Sequence, residues 1–219
     1  MELDRKQFKQ HTVYKVGGKR VPGVTTILGV LAKPALIKWA NNLGLQGIDS
    51  SKYVDALARI GTLAHYLVEC EWKGEEPDLS TFTPEEVDRA ENALLKFWAW
   101  REKHEVEPIL VEEPLVSETC FYGGTIDCYA RVDGELTLID LKTSKGIFDE
   151  HVHQLAAYCQ LLSENGHEVE SARILRIGRD ESEGFEERVF TPGSLSADWE
   201  IFNSCLAIYN ARKELKRRR

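Results

Sequence analysis

Hydrophobic positions in the first half of the chain recur with helical spacing. Between Ser51 and Trp72, apolar residues return every three or four positions, which predicts a long amphipathic helix. The stretch Thr83-Pro84-Glu85-Glu86 predicts the start of a second helix, because it combines an N-cap hydroxyl, a proline at the first helical position and a capping-box glutamate. This second helix is expected to end near Lys103.

The residues before these helices predict a smaller unit. His11–Val24 is expected to form a short β-hairpin that turns at Gly17-Gly18. Thr25-Thr26 is expected to cap a helix over Ile27–Leu31, and Pro34 to break or restart that helix.

The pattern changes after the second long helix, where short apolar runs lie between turn residues. Such runs predict strands. They are expected at Ile109–Ser117, Thr125–Val132, Glu135–Thr143, Ser171–Ile177 and Phe185–Phe190, with helices over Phe148–Leu162 and from Ser196 onward. The order is therefore βββαβ preceded by helices, which predicts an α/β fold with a mixed sheet.

The composition of the chain fits one soluble domain with a core. Its 219 residues are 42% hydrophobic and 29% charged. No apolar run approaches the roughly 20 residues that cross a bilayer, and the first residues lack the apolar segment of a signal peptide. We therefore expect a cytoplasmic protein with no membrane partner. The five cysteines are dispersed without a C-x-x-C pair, which favours reduced core thiols over disulfides or a zinc site.

The net charge of −8 does not by itself indicate nucleic-acid binding. However, six of the last eight residues, from Arg212 onward, are basic. A basic tail can steer a polyanion toward an otherwise acidic protein. The alternative is the solvated end of a helix.

Two carboxylates and one ammonium group are predicted to meet on neighbouring strands. The turn signal Asp133-Gly134 lies between two apolar runs and predicts a hairpin. Asp127 then lies on one strand, and Asp140 and Lys142 lie on the next. Asp140 and Lys142 are two residues apart, so they project from the same face. Such a group could hold a divalent metal against a phosphate.

Hydrolysis of a phosphodiester requires an activated water and neutralised charge, which metal-bound carboxylates can supply. Asp127 and Asp140 are the candidate ligands, and the Leu141 carbonyl could add a third. Lys142 would orient the water and stabilise developing negative charge. The alternative is a cross-strand salt bridge on a solvated face. Against it, Asp is disfavoured in strands, and Asp140 stands in an apolar run.

Further residues extend the candidate site. Gln154 and Tyr158 are four apart on one helix face, where they could position a phosphate or a water. His65, one turn after a glycine on the long helix, could ligate a metal, including manganese. Gly123-Gly124 permits close approach of another backbone or of substrate. Each feature alone also fits an ordinary core or surface position.

Taken together, these motifs resemble the RecB-type branch of the PD-(D/E)xK nuclease superfamily. That branch includes phage exonucleases, the mitochondrial genome maintenance exonuclease and CRISPR-associated RecB-like nucleases. The motifs that carry the resemblance occur in one order, as Gly61-Thr62-x-x-His65, Gly124-Thr125-Ile126-Asp127, Ile139-Asp140-Leu141-Lys142-Thr143 and Gln154-x-x-x-Tyr158.

The resemblance implies a restriction-endonuclease-like αβββαβ core with extra N-terminal helices. Residues 1–50 would form the N-terminal hairpin and helix, residues 51–180 the catalytic core, and residues 181–219 a strand and a helix with the basic tail. All three segments would belong to one nuclease domain.

The resemblance also implies roles for particular residues. His65, Asp127 and Asp140 would be metal ligands for Mg²⁺ or Mn²⁺, and Lys142 would be the catalytic lysine. Gln154 and Tyr158 would be the auxiliary pair of the following helix. An acid of the first strand matches Glu112 best, with Glu113 adjacent. The cysteine set of iron–sulfur members is missing, so no such cluster is expected.

We therefore expect a divalent-metal-dependent deoxyribonuclease. It would be an exonuclease acting on single strands or DNA ends in recombination, repair or phage DNA processing, in a bacterial or phage setting. A recombination or replication protein would be a natural partner. One alternative is a catalytically silent DNA-binding or scaffold protein on the same fold. Another is a nuclease directed at RNA.

Overall fold

A five-stranded mixed sheet forms the centre of the computed structural model, which describes residues 12–218. Six helices and a two-stranded hairpin accompany it in this part of the chain. The helices are α1 (Val24–Leu28), α2 (Pro34–Leu45), α3 (Ser50–Lys73), α4 (Pro84–Arg101), α5 (Asp149–Glu164) and α6 (Ser196–Arg217). The strands are β1 (Lys15–Val16), β2 (Lys19–Arg20), β3 (Val106–Ser117), β4 (Tyr122–Val132), β5 (Glu135–Lys142), β6 (Ser171–Ile177) and β7 (Phe185–Phe190).

The strands of the large sheet lie in the order β3-β4-β5-β6-β7. Neighbouring strands are antiparallel except β5 and β6, which are parallel. A parallel pair needs a crossover, and α5 supplies it. The predicted α/β architecture, with a βββαβ order and extra N-terminal helices, is confirmed.

The turn between β4 and β5 sets the register of the candidate site. Asp133 and Gly134 have φ angles of 51° and 92°, as a two-residue hairpin turn requires. Pairing then runs from Val132 with Glu135 up to Cys128 with Ile139, where the ladder ends. The next two positions are occupied by the two aspartates, so the predicted hairpin brings them side by side.

Helices cover both faces of the sheet and form two hydrophobic cores. Side chains from α1, α5 and α6 pack on one face, and those from α3 and α4 pack on the other. In β5, Leu138 belongs to the first core, whereas Ile139 and Leu141 belong to the second. By alternation, Asp140 and Lys142 project toward the α5 side.

Of three local predictions, one holds, one holds in part and one is wrong. The capping box at Thr83 is present, because Thr83 Oγ1 accepts from Glu86 N and the Glu86 carboxylate accepts from Thr83 N. The N-terminal hairpin is shorter than predicted, and His11 lies outside the described residues. Thr25-Thr26 does not cap a helix, since α1 begins at Val24. The cap is Gly23, which forms a bridge with Gly123 of β4, so a long-range pairing determines where this helix begins.

None of the helices between residues 12 and 218 is both long enough and apolar enough to cross a bilayer.

Candidate active site

A histidine and two carboxylates from three elements converge beside the sheet. The candidate ligand atoms of His65, Glu112 and Asp127 all lie within 4.8 Å of one another. His65 belongs to α3, Glu112 to β3 and Asp127 to β4. Oxygen and nitrogen donors at this separation can share a divalent cation.

Close packing of α3 on the end of β5 positions His65. A β-carbon on Gly61 would lie 2.7 Å from Thr143 Oγ1, so the helix approaches at a distance that only glycine allows. His65 stands one turn further along, and its Nδ1 is 3.2 Å from Asp127 Oδ1. The Gly-x-x-x-His spacing therefore has a physical reason. The glycine lets the helix pack close to the sheet, and this packing brings the histidine within reach of Asp127.

Asp127 is held at the point where β4 and β5 separate. Its Oδ2 accepts a hydrogen bond of 2.7 Å from the backbone N–H of Leu141, which takes the place of a ladder bond. Burial raises the pKa of this carboxyl, but the charges of His65 and Lys142 and the bonds to His65 and Leu141 outweigh burial and lower the pKa to about 2. Asp127 is therefore an anion at neutral pH.

Asp140 is a buried acid with unused ligand atoms. It is 1% exposed. Its Oδ1 has no hydrogen-bond partner among the residues that the structure describes. Oδ2 contacts the Lys142 ammonium as an ion pair. Burial raises the pKa of Asp140 to about 6, with a further increase from Asp127 and an opposing effect of Lys142.

A buried carboxylate usually has its oxygens satisfied, so Asp140 fits a site that a cation completes. Asp140 is not one of the three residues of the His65, Glu112 and Asp127 cluster, although it lies next to Asp127 across the strands.

Lys142 contacts both predicted partners on its own strand. Besides the ion pair with Asp140, its Nζ donates a hydrogen bond of 3.3 Å to the carbonyl of Leu141. The carbonyl predicted as a backbone ligand is therefore in contact with the lysine in this arrangement. The predicted proximity of Asp127, Asp140 and Lys142 is what the structure shows.

The predicted helix pair lies over the carboxylates. Gln154 Nε2 donates a hydrogen bond of 2.8 Å to the hydroxyl of Tyr158, which leaves the phenol proton for another acceptor. Burial, followed by the charges of Asp140 and Asp127, raises the pKa of Tyr158 well above its usual value. Tyr158 is therefore a neutral donor that faces two acids.

The two glycines before Asp127 make room for tyrosines. A β-carbon on Gly124 would lie 2.5 Å from Tyr158 Cε1, and one on Gly123 would lie 2.4 Å from Tyr14 Cγ. The predicted close approach of another backbone is confirmed at Gly123, which forms an isolated bridge with Gly23 and donates its N–H to the Pro22 carbonyl at 3.0 Å. The two tyrosine rings occupy the space beside it. Small residues are needed here because the rings pack directly on the strand.

Sequence reasoning missed two residues near the site. Tyr14 packs on β4, and its hydroxyl is 3.0 Å from Thr125 Oγ1. His151 lies in the first turn of α5, where its Nδ1 accepts from Phe148 N at 3.2 Å. Burial, helped by the charge of Lys142, lowers the pKa of His151 to about 4. Neither residue belongs to a recognisable motif. For His151, the only signals in the sequence are the length of α5 and the short separation from Lys142.

The sequence profile described as the PD-(D/E)XK nuclease superfamily matches residues 40–213, which is more than half of the chain. The chain belongs to this superfamily of nucleases, and the superfamily predicted from the motifs is confirmed. No curated protein matches the chain.

Solved structures give distant matches. An alkaline exonuclease (LHK-Exo) from Laribacter hongkongensis is 11% identical, with 57% of this chain and 72% of that chain covered and a TM-score of 0.35. A structure of LHK-Exo in complex with dAMP is 13% identical, with coverages of 74% and 90% and a TM-score of 0.39. SSO0001 is 17% identical, with coverages of 67% and 73% and a TM-score of 0.31.

Proposed function

We propose that this nuclease is a divalent-metal-dependent deoxyribonuclease that hydrolyses phosphodiester bonds as an exonuclease on single strands or DNA ends. The observation that carries the proposal is Asp140. Its buried Oδ1 lacks a hydrogen-bond partner within residues 12–218, Oδ2 contacts Lys142, and the residue lies beside Asp127. A buried carboxylate oxygen without a partner suits a cation in addition to the lysine.

The residues present fit a hard or borderline divalent cation. His65, Glu112, Asp127 and Asp140 are the side chains that would hold Mg²⁺ or Mn²⁺, and the imidazole suits manganese as well as magnesium. When bound, such a cation supplies positive charge next to a phosphate and makes water more acidic.

Side chains of this protein would perform the remaining tasks. Lys142 is 14% exposed, and its ammonium would hold a water or a phosphate oxygen and stabilise developing negative charge. Tyr158 keeps its proton and would donate it in a hydrogen bond to the phosphate, while Gln154 fixes the orientation of the phenol. The two carboxylates would repel an unaccompanied phosphate, so the cation and the lysine are both required.

The test is cleavage of end-labelled single- and double-stranded DNA in Mg²⁺, in Mn²⁺ and in EDTA. We expect cleavage only with metal, and Lys142→Ala should lower its rate by about 10²–10³-fold. Lys103→Ala, an exposed lysine beyond the end of α4, is the matched control. Undiminished cleavage by Lys142→Ala would contradict the mechanism. DNA binding without metal and without cleavage would favour a scaffold protein.

The exonuclease mode and the preference for DNA rest on the motif resemblance, and each has its own comparison. Linear and circular single strands of the same sequence separate an exonuclease from an endonuclease, because a circle offers no end. A matched RNA strand tests the choice of sugar. The roles in recombination, repair or phage DNA processing belong to the same proposal.

A further inference from the structure

A basic cleft lies between the N-terminal hairpin and the C-terminal helix. It has a volume of about 490 Å³, and its lining includes Arg20 of β2 together with Tyr209, Lys213 and Arg217 of α6. The three α6 residues follow at intervals of four, so they share one face of the helix. The cleft thus gathers three cations from two segments that are distant in sequence.

Within residues 12–218, no acid compensates the charge of this cleft. No carboxylate among residues 12–218 lines it, and within those residues Arg20, Lys213 and Arg217 form no ion pair. Three other clefts that contain arginine or lysine also contain carboxylates, among them the one lined by Arg179 and Glu183. On a chain with a net charge of −8, three uncompensated cations form a local attraction for an anion.

Tyr14 connects the cleft to the candidate active site. It lines the cleft, and it also packs on Gly123 and places its hydroxyl 3.0 Å from Thr125 Oγ1. Thr125 precedes Asp127 by two residues, about 7 Å along β4. Tyr14 and the start of β4 therefore separate the basic cleft from the acidic cluster by a short stretch of one strand.

We propose that this cleft binds the phosphodiester backbone of the DNA strand that is cleaved at the candidate site, away from the scissile bond. The proposal rests on the function proposed above. Arg and Lys side chains and the hydroxyls of Thr25 and Thr26, which also line the cleft, are suited to phosphate oxygens. Such contacts hold a strand without reading its sequence.

The first test is binding, measured in EDTA so that no cleavage occurs. Fluorescence anisotropy of a labelled oligodeoxythymidylate over a range of KCl concentrations compares the wild type with Lys213→Gln/Arg217→Gln. Both side chains are exposed on α6, so the fold should survive, which a melting curve checks. We expect weaker binding and a salt slope smaller by about 1.4, since each phosphate contact on a single strand contributes about 0.7.

The matched control is Lys103→Gln/Arg131→Gln, which removes the same charge near the turn at Asp133. It should bind DNA with the wild-type salt slope. Equal affinity and equal slope for the two double variants would overturn the proposal, because net charge alone would then explain any change. A labelled acidic peptide serves as a second probe. The proposal would also be overturned if Lys213→Gln/Arg217→Gln lost binding of this peptide but still bound DNA as the wild type does.

A second measurement separates this proposal from the proposed function. Bis(4-nitrophenyl) phosphate is too small to span both sites, so Lys213→Gln/Arg217→Gln should hydrolyse it at the wild-type rate while its KM for long single strands rises. A wild type that cleaves neither substrate would contradict the nuclease function. The salt-slope measurement would then still show whether the cleft binds DNA. An equal loss of activity on bis(4-nitrophenyl) phosphate and on long single strands in the variant would overturn the proposed role of the cleft.

Discussion

Gly61 and Thr143 are packed so closely that a β-carbon on the glycine would lie 2.7 Å from the threonine Oγ1. This contact joins α3 to the residue that follows β5. On the same helix, His65 Nδ1 lies 3.2 Å from Oδ1 of Asp127, which belongs to β4, the neighbour of β5. The distance between the helix and the sheet is therefore set one turn before the candidate ligand.

Gly61→Ala is expected to displace α3 and, with it, His65. Threonine is stiff about χ1, so its hydroxyl cannot easily turn away. We expect a loss of about 1 kcal/mol in the free energy of unfolding and a fall of about 10- to 100-fold in DNA cleavage. Chemical denaturation and the cleavage assay measure the two effects.

A second substitution, at Thr143, should rescue the Gly61→Ala variant. Thr143→Ala removes the atom that a β-carbon on residue 61 would meet, so Gly61→Ala/Thr143→Ala should recover much of the activity. A double-mutant cycle with no coupling between the two positions would contradict the steric explanation.

Gly124→Ala is expected to disturb the packing of Tyr158. The added carbon would lie 2.5 Å from Tyr158 Cε1 and 3.2 Å from Leu161 Cδ1, and a buried ring cannot move aside. Overpacking of this kind destabilises by about 1–3 kcal/mol. Gly44→Ala is the control, since a β-carbon there meets nothing within 4 Å and the residue lies inside α2. It should leave stability unchanged or raise it slightly. Similar melting temperatures for both variants would contradict the packing argument.

Divalent metal is expected to stabilise the folded protein through Asp140. Any ligand that binds only the folded state raises stability, by about 2.7 kcal/mol at a hundred times its dissociation constant. The melting temperature should therefore rise with Mn²⁺ or Mg²⁺ in the wild type, and this rise should be lost in Asp140→Asn.

Glu107→Gln, which changes an exposed acid near the start of β3, should respond to metal as the wild type does. A rise of equal size in Asp140→Asn would show that Asp140 takes no part in holding the cation. Because the readout is thermal, the result does not depend on activity.

Local signals explain why much of the site could be predicted from the sequence. The turn at Asp133-Gly134 fixes pairing over a few residues, and counting along the two strands then places Asp127 beside Asp140. The capping box at Thr83 is equally local. In both cases the physical cause lies within a few positions of the residue concerned.

Long-range contacts explain what could not be predicted. Tyr14 reaches Thr125 across 111 positions of sequence, and no turn or periodicity points to that contact. The start of α1 likewise depends on pairing between Gly23 and Gly123. The glycines of β4 were predicted to admit a backbone or substrate. Gly123 does admit the backbone at Gly23, but the rings of Tyr14 and Tyr158 that pack on the two glycines could not be predicted.

His151 is expected to make stability depend on pH. Burial and the charge of Lys142 lower the pKa of His151 in the folded protein to about 4, below its usual value near 6.5. As the pH falls from 6.5 toward 4, the unfolded chain gains a proton that the folded protein does not, so this group reduces stability over that range. His151→Gln should therefore show a smaller loss of unfolding free energy between pH 7 and pH 5. Parallel profiles for the two proteins, measured by urea denaturation, would contradict a half-buried neutral imidazole.

Glu112, and not its neighbour Glu113, is expected to serve the site. The register pairs Val111 with Cys128 and Glu113 with Ile126, which leaves Glu112 opposite Asp127. Glu112 has a φ of 52°, in the left-handed region that a non-glycine residue rarely adopts. Strained backbone of this kind concentrates at functional sites, and no sequence pattern announces it.

The test of Glu112 uses its neighbour as the matched control, because both substitutions remove one negative charge from the same strand. Glu112→Gln takes an oxygen ligand from a cluster that spans 4.8 Å, so we expect cleavage to fall by about 10²-fold and more metal to be needed for half-maximal rate. Glu113→Gln should change the rate less than threefold, within the scatter of an ordinary surface substitution. A larger loss in Glu113→Gln would mean that β3 presents the other acid to the metal, and the register of the strand at Asp127 would have to differ by one residue.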